Sequence, residues 1–187
     1  HLEEASKRLG LTMNRSKCEV IGHNNVTRTL FFASGVTLPE TSKSTAVLLG
    51  SPLSAGQHLD QILNGKKLEL QKLTSRLKLM PSHDSLFLLR NVLTAPRLMY
   101  LLRSAPCTDS PELPLYDEVL RSALSATINV DLNDERWRQA SLPVRWGGLG
   151  VRGVVLLAPS AYLASAANTM DLTSALLPAR LRAVKDS

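Results

Sequence analysis

Aromatic side chains are scarce: two Trp, three Tyr and three Phe in 187 residues. A sheet-on-sheet core is therefore a poor fit, because such cores draw their cross-strand contacts from aromatic and β-branched residues. Cysteine is rarer still. Cys18 and Cys107 stand far apart, with no CxxC and no Cys/His cluster, which gives a disulfide framework no support, speaks against zinc and reads as two reduced, partly buried thiols. Long apolar runs are missing as well. The longest, 86–102 and 154–170, are interrupted by Arg90, Asn91 and Arg97 or by Pro159, Ser160 and Asn168, so neither reads as a bilayer span and no membrane partner is expected. There is no GxSxG, and His1, His23, His58 and His83 lack recognisable partners, so they read as solvated or capping residues rather than bases. No secretory signal opens the chain, and it starts on His1 rather than Met. The expectation is a piece of a longer polypeptide acting inside the cell, in nucleus or cytoplasm.

What abounds is leucine, at 36 positions. With 44 % hydrophobic and 20 % charged residues, the composition favours helices packed through leucine ridges over disorder. The net charge of +6 raises the expectation of a polyanionic partner. It is concentrated: residues 55–104 hold eight Lys/Arg against three Asp/Glu, a surplus of five.

The chain turns on Leu48-Leu49-Gly50-Ser51-Pro52-Leu53, where Gly50 opens backbone angles closed to other residues and Pro52 fixes φ. Two leucines enter and one leaves, which predicts a turn packed on both sides, joining a partial α/β edge over 1–53 to a helical bundle over 54–187. The fold class expected is α+β, mainly α. Before the turn, Leu2, Ala5 and Leu9 predict a helix end stopped by Gly10, followed by strands at 17–22, 29–33 and 46–49. After it, Leu59, Ile62, Leu63, Leu70, Leu73, Leu77 and Met80 predict a long amphipathic helix over 57–79, its other face carrying Lys66, Lys67, Lys72, Arg76 and Lys78. Pro81 ends it, and Ser82 or Asp84 caps the next. A broken helical pair (85–93 and 96–104), helices over 115–128 and 133–141, an irregular glycine-rich stretch at 142–153, and two helices, 156–170 and 172–181, divided near Asp171, complete the reading.

Gly148-Leu149-Gly150-Val151-Arg152-Gly153 matches GxGxxG, with Asp171 where a ribose-binding acid would fall. The preceding stretch is short and holds Pro143, Pro159 interrupts the segment on the other side, and too little chain remains for a second βα unit. A tight turn is the better reading. Asp117-Glu118 and Asp134-Glu135 read as acids complementing helix starts.

Three stretches occur in a telling order: Gly10-Leu11-Thr12-Met13-Asn14-Arg15-Ser16-Lys17-Cys18-Glu19-Val20, Leu49-Gly50-Ser51-Pro52-Leu53, and Leu142-Pro143-Val144-Arg145-Trp146-Gly147-Gly148-Leu149-Gly150-Val151-Arg152. With Leu88-Leu89-Arg90-Asn91 through Leu101-Leu102-Arg103, the chain resembles the reverse transcriptases of non-LTR (LINE-like) retroelements. The family's patterns are a GL-x-x-N-x-x-K turn before the last palm strands, an LG-x-P-L primer-holding turn, a helical thumb and an LP-x-x-x-GGLG-(V/I)-R stretch. The resemblance implies a partial palm-like edge followed by a thumb-like and post-thumb region. It also implies partners: an RNA template, a DNA primer, and the upstream palm and fingers of the same polypeptide.

That family polymerises with Mg²⁺ held by carboxylates of an aromatic-x-Asp-Asp turn, because attacking and leaving oxygens both develop charge. This chain has no Asp-Asp pair. The resemblance therefore implies Mg²⁺ for the complete enzyme, no metal ligands here, and no polymerisation by this chain alone. Lys17 would sit on the pyrophosphate side as an auxiliary to catalysis. Gly50, Ser51 and Pro52 would steer the primer end; Lys66, Lys67, Lys72, Arg76 and Lys78 would track duplex phosphates. Arg145 and Arg152, with Arg136, Arg138, Trp137 and Trp146, would clamp template RNA. Each has a plainer alternative: a solvated lysine, a hinge, a solvated helix face, and core packing for both tryptophans. For the whole chain, the rival is a non-enzymatic basic helical interaction module.

Overall fold

The computed structural model describes residues 2–12, 14, 17–21 and 41–176, and the strand expected at 29–33 lies outside them. The chain divides into two units, His1–Ser54 and Ala55–Ser187. Among the described residues helices dominate, with one two-stranded antiparallel sheet, so the fold is α+β, mainly α.

In the first unit, α1 (Leu2–Arg8) carries Lys7 and Arg8 in its last turn, where they complement the dipole. It ends as the amides of Leu9 and Leu11 turn back to the Ser6 carbonyl and that of Gly10 to Lys7. The strand expected over 17–22 does not form across its described part. The Asn14 carbonyl accepts both the Lys17 amide at 3.1 Å and the Cys18 thiol at 3.4 Å, folding this stretch into a local turn. Only Val20 pairs, accepting from the Thr41 amide at 3.0 Å, while the Thr41 hydroxyl donates to Glu19.

The stretch around Gly50 is a hairpin. Strand β1 (Val47–Leu48) pairs with β2 (Ser51–Pro52) in the register Val47↔Pro52 and Leu48↔Ser51. Its two linking residues, Leu49 at φ 52° and Gly50 at φ 81°, are both left-handed, as a two-residue I′-type connection requires. Pro52 is tolerated because a two-stranded ladder has only edges. The leucines do not pack around this turn as expected: Leu48, Leu49 and Leu53 are exposed, while Ala46, Ser51 and Pro52 are buried. A ladder of two pairs is too short to turn one face of β1 inward, and the left-handed tip carries Leu49 into solvent.

The second unit runs α2 (Gln57–Leu77), α3 (Ser82–Leu88), a π-helical turn (Leu89–Leu93), α4 (Ala95–Ser104), α5 (Glu112–Ile128), α6 (Asp134–Ser141), a 3₁₀ turn (Val144–Trp146) and α7 (Val154–Leu176). The leucine spacing does what it predicts. Leu59, Leu63, Leu70 and Leu77 of α2 meet Leu98 and Leu102 of α4 and Leu113, Leu120 and Leu124 of α5 in one core that also takes in Val151, Val154 and Ala158. Each fully buried leucine contributes about 1.5–3 kcal/mol.

Polar groups close the corners. The buried Ser85 hydroxyl donates at 2.8 Å to the Leu77 carbonyl, satisfying the end of α2. Neither Ser82 nor Asp84 caps α3; Pro81 holds the cap position in an extended conformation, which leaves Ser82 and Asp84 inside the first turn. At the π turn the Tyr116 hydroxyl donates to the Leu93 carbonyl at 3.2 Å, and Thr94 Oγ1 donates to that of Arg90 at 2.9 Å. Both carbonyls are thereby paired where the helical ladder changes period. Burial pushes the Tyr116 phenol up to about 12. Asn133 caps α6, its side chain accepting from the Arg136 amide at 2.9 Å.

One helix, α7, stands where two were expected. It passes through Asp171 without a break, because Asp keeps its amide donor and no Gly or Pro lies near it. Pro159 sits six residues into the helix and removes a single ladder bond.

Candidate nucleic-acid interface

The glycines of 147–153 let the backbone double back against α6. The Leu149 amide donates to Ala140 and the Gly150 amide to Leu142, at 3.0 and 2.9 Å. A side chain at Gly148 would run into the Leu142 carbonyl, and one at Gly153 would come 2.9 Å from a carboxylate oxygen of Asp117. That carboxylate decides what the motif can hold. Asp117, within α5, accepts from the amides of Val154 at 2.7 Å and Val155 at 3.2 Å, so it caps α7 across the core. A pyrophosphate on a GxGxxG turn needs those same helix-terminal donors. The tight-turn reading accounts for the geometry, whereas the reading of Asp117 as an acid at its own helix start does not: it lies in the interior of α5 and serves another helix. Burial pushes the Asp117 carboxyl up, against the Val154 and Val155 amides that pull it down.

Gly150, at φ +73°, lies beneath Arg90, and an added Cβ would come 2.9 Å from its Nε. This close approach brings two distant parts of the chain to one cleft of about 340 Å³, where Arg90, Asn91 and Thr94 face Arg152 along an apolar wall that includes Met99 and Val144. No carboxylate lines the cleft. Both arginines are exposed, and among the described residues neither has an ion pair or side-chain hydrogen bond. On the same 3₁₀ turn as Val144, the Arg145 guanidinium lies 4.8 Å from the centroid of the Trp146 ring. Trp137 packs partly against the core, but Trp146 is 62 % exposed, so core packing does not hold for both. The 3₁₀ turn itself carries no buried residue, which is why Trp146 stays outside.

The five bases of the first long helix do not share one face. At about 100° per residue, Lys66 and Lys67 flank the apolar stripe rather than oppose it. Lys67 is drawn inward to Glu112 at 2.7 Å, with both side chains mostly buried. Lys66 reaches Glu69 at 3.3 Å, and Glu69 also accepts from Arg97 at 3.0 Å. The Arg97 and Lys66 donors hold the Glu69 carboxyl below the usual range. Lys72 and Arg76 stand exposed one turn apart, and with Lys78 they have no partner among the described residues. Lys67 and Lys78 line a groove of about 430 Å³ against α5 that also contains Glu118.

In the first unit, Lys17 is exposed on the Asn14 turn, and Gly50 is exposed at the hairpin tip beside the buried Ser51 and Pro52. Among the described residues no three His, Cys, Asp or Glu side chains gather where they would hold a metal ion. No described helix is long and apolar enough to cross a membrane. Arg90, Asn91 and Thr94 were given no role by sequence alone. The Leu88-Leu89-Arg90-Asn91 stretch was the available signal, but its meeting with Arg152 is a tertiary fact. No family model, curated protein or solved structure matches the chain.

Proposed function

We propose that this chain is the C-terminal, non-catalytic part of a retroelement RNA-directed DNA polymerase, a palm-like edge and thumb-like helices that hold an RNA–DNA hybrid by its phosphates. The order of the sequence stretches suggests the family. The observation that carries the function is the pair Lys72 and Arg76, exposed one helical turn apart and without partners among the described residues. Two unneutralised cations on a rigid helix contact phosphates without reading sequence, and they release counterions when they do. Lys78 extends this cationic end of α2, while Lys67 contributes little because Glu112 already neutralises it. Lys17, Gly50, Ser51 and Pro52 would serve the complete enzyme's active site.

The test is binding of an RNA–DNA hybrid titrated over several salt concentrations, with heparin as competitor, to the wild type and to a Lys72→Glu, Arg76→Glu variant. Losing two phosphate contacts should weaken binding across sequences and lower the log–log salt slope by about 1.8, at the duplex value per contact. An unchanged slope and affinity in a folded variant would remove the grip. Preference for heparin over the hybrid would return the chain to a general basic module.

A further inference from the structure

We propose that the cleft between the π turn, the start of α4 and the 142–152 segment is a second site, one that takes the phosphodiester backbone of a single nucleic-acid strand. It stands on different residues from α2 and holds whether or not that helix grips a hybrid. Arg90 and Arg152 line one recess of about 340 Å³ with no acid among the lining residues. Neither guanidinium has a partner among the described residues, so two like charges share a concave space that only an anion relieves. The N-terminal end of α4, at Thr94 and Ala95, opens onto the same recess and adds the positive pole of a ten-residue helix. Guanidinium forks suit phosphate oxygens, which they meet bidentately.

The rest of the lining selects the form of the anion. Met99 and Val144 make an apolar wall beside the arginines, and the turn that supplies Val144 carries the exposed Trp146 indole. A single strand has unstacked bases to lay against such surfaces, whereas a duplex keeps its bases inside and offers the wall nothing. Gly150 is the structural condition for the site. Any side chain there would meet Arg90 and displace its guanidinium.

The experiment uses the whole chain with fluorescent oligo(dT) and oligo(rU), followed by anisotropy over a range of salt. The Arg90→Gln, Arg152→Gln variant should bind about tenfold or more weakly, with a log–log salt slope reduced by about 1.4 for two contacts to a single strand. The Lys72→Glu, Arg76→Glu variant should keep its single-strand binding, which separates this site from the α2 grip. A readout on the unsubstituted protein needs no variant to fold: phenylglyoxal modification of Arg90 and Arg152, mapped by mass spectrometry, should be suppressed by the oligonucleotide. The better protector of the two identifies DNA or RNA as the strand. The proposal is overturned if the folded glutamine variant binds like wild type. It is equally overturned if neither oligonucleotide protects the arginines, or if inorganic phosphate at the same phosphate concentration protects them as well.

Discussion

Removing the carboxylate of Asp117 should loosen a helix to which Asp117 does not belong. In Asp117→Ala the amides of Val154 and Val155 lose their acceptor, and Val154 is fully buried, so water does not replace it cheaply. Loss of an N-cap costs about 0.5–2 kcal/mol, and bonds to a charged acceptor are worth about 1.5–3 kcal/mol, so two bonds at a half-buried site place the cost near 2–3 kcal/mol. For a unit of this size that lowers Tm by about 6–12 °C. Asp117→Asn keeps an acceptor for Val154 but turns its NH₂ toward Val155, so its loss should fall between wild type and Ala. The pH dependence has a definite sign. Because burial raises the folded carboxyl above its unfolded value, the folded state binds the proton more tightly. Stability from this group is therefore present in full below the unfolded value, about 3.9, and is lost as pH rises through the raised folded one. The Tm gap between wild type and Asp117→Asn should accordingly widen as pH falls from 7 toward 4. Thermal melts by circular dichroism at several pH values measure both effects. An Asp117→Ala protein that melts with wild type would refute the capping argument. A gap that narrows on acidification would refute the burial argument.

Three other expectations rest on packed polar groups. A double-mutant cycle on Lys67→Ala and Glu112→Ala should show coupling of about 1–2 kcal/mol, between the values for exposed and fully buried pairs, by chemical denaturation. Ser85→Ala removes one of the two donors to the last carbonyl of α2, leaving the Met80 amide, and should cost about 1 kcal/mol in the same assay, with no effect on oligonucleotide binding. Burial pushes the Cys107 thiol up to about 11, so iodoacetamide at neutral pH should modify Cys18 first and reach Cys107 only as the protein unfolds. Rapid native alkylation of Cys107 would contradict its buried setting.

The helical part of this fold was largely written in leucine spacing. The run from Leu59 to Leu77 is a local pattern that burial then obeys. Glycine and proline between residues 48 and 53 marked the hairpin, but not which of its side chains would face outward. Features that depend on a partner elsewhere were not legible. Lys67 looks like any surface lysine until Glu112, 45 residues away, lies against it. The π turn depends on Tyr116 reaching the Leu93 carbonyl, and Asp117 resembles a surface acid of α5 until α7 begins beside it. The candidate cleft belongs to the same class: Arg90 and Arg152 carry meaning only once Gly150 lets the chain pass beneath the first of them. The division expected at Asp171 erred in the other direction, taking a mild local preference for a stop that packing and continuity override.

At about 34 Å, α7 is long enough for its two ends to live on different clocks. Val154 and Ala158 are locked in the core, whereas no side chain from 163 to 176 is buried. The outer turns bury no side chain and can melt and re-form on the helix–coil timescale of about 0.1–1 μs, while the inner turns open only with the unit itself. Deuterium uptake along this one helix should thus run as a gradient, fast from the far end and slowing sharply where Ala161 and Ala158 meet the core. A protease trimming from that end would meet a natural stop in the same place.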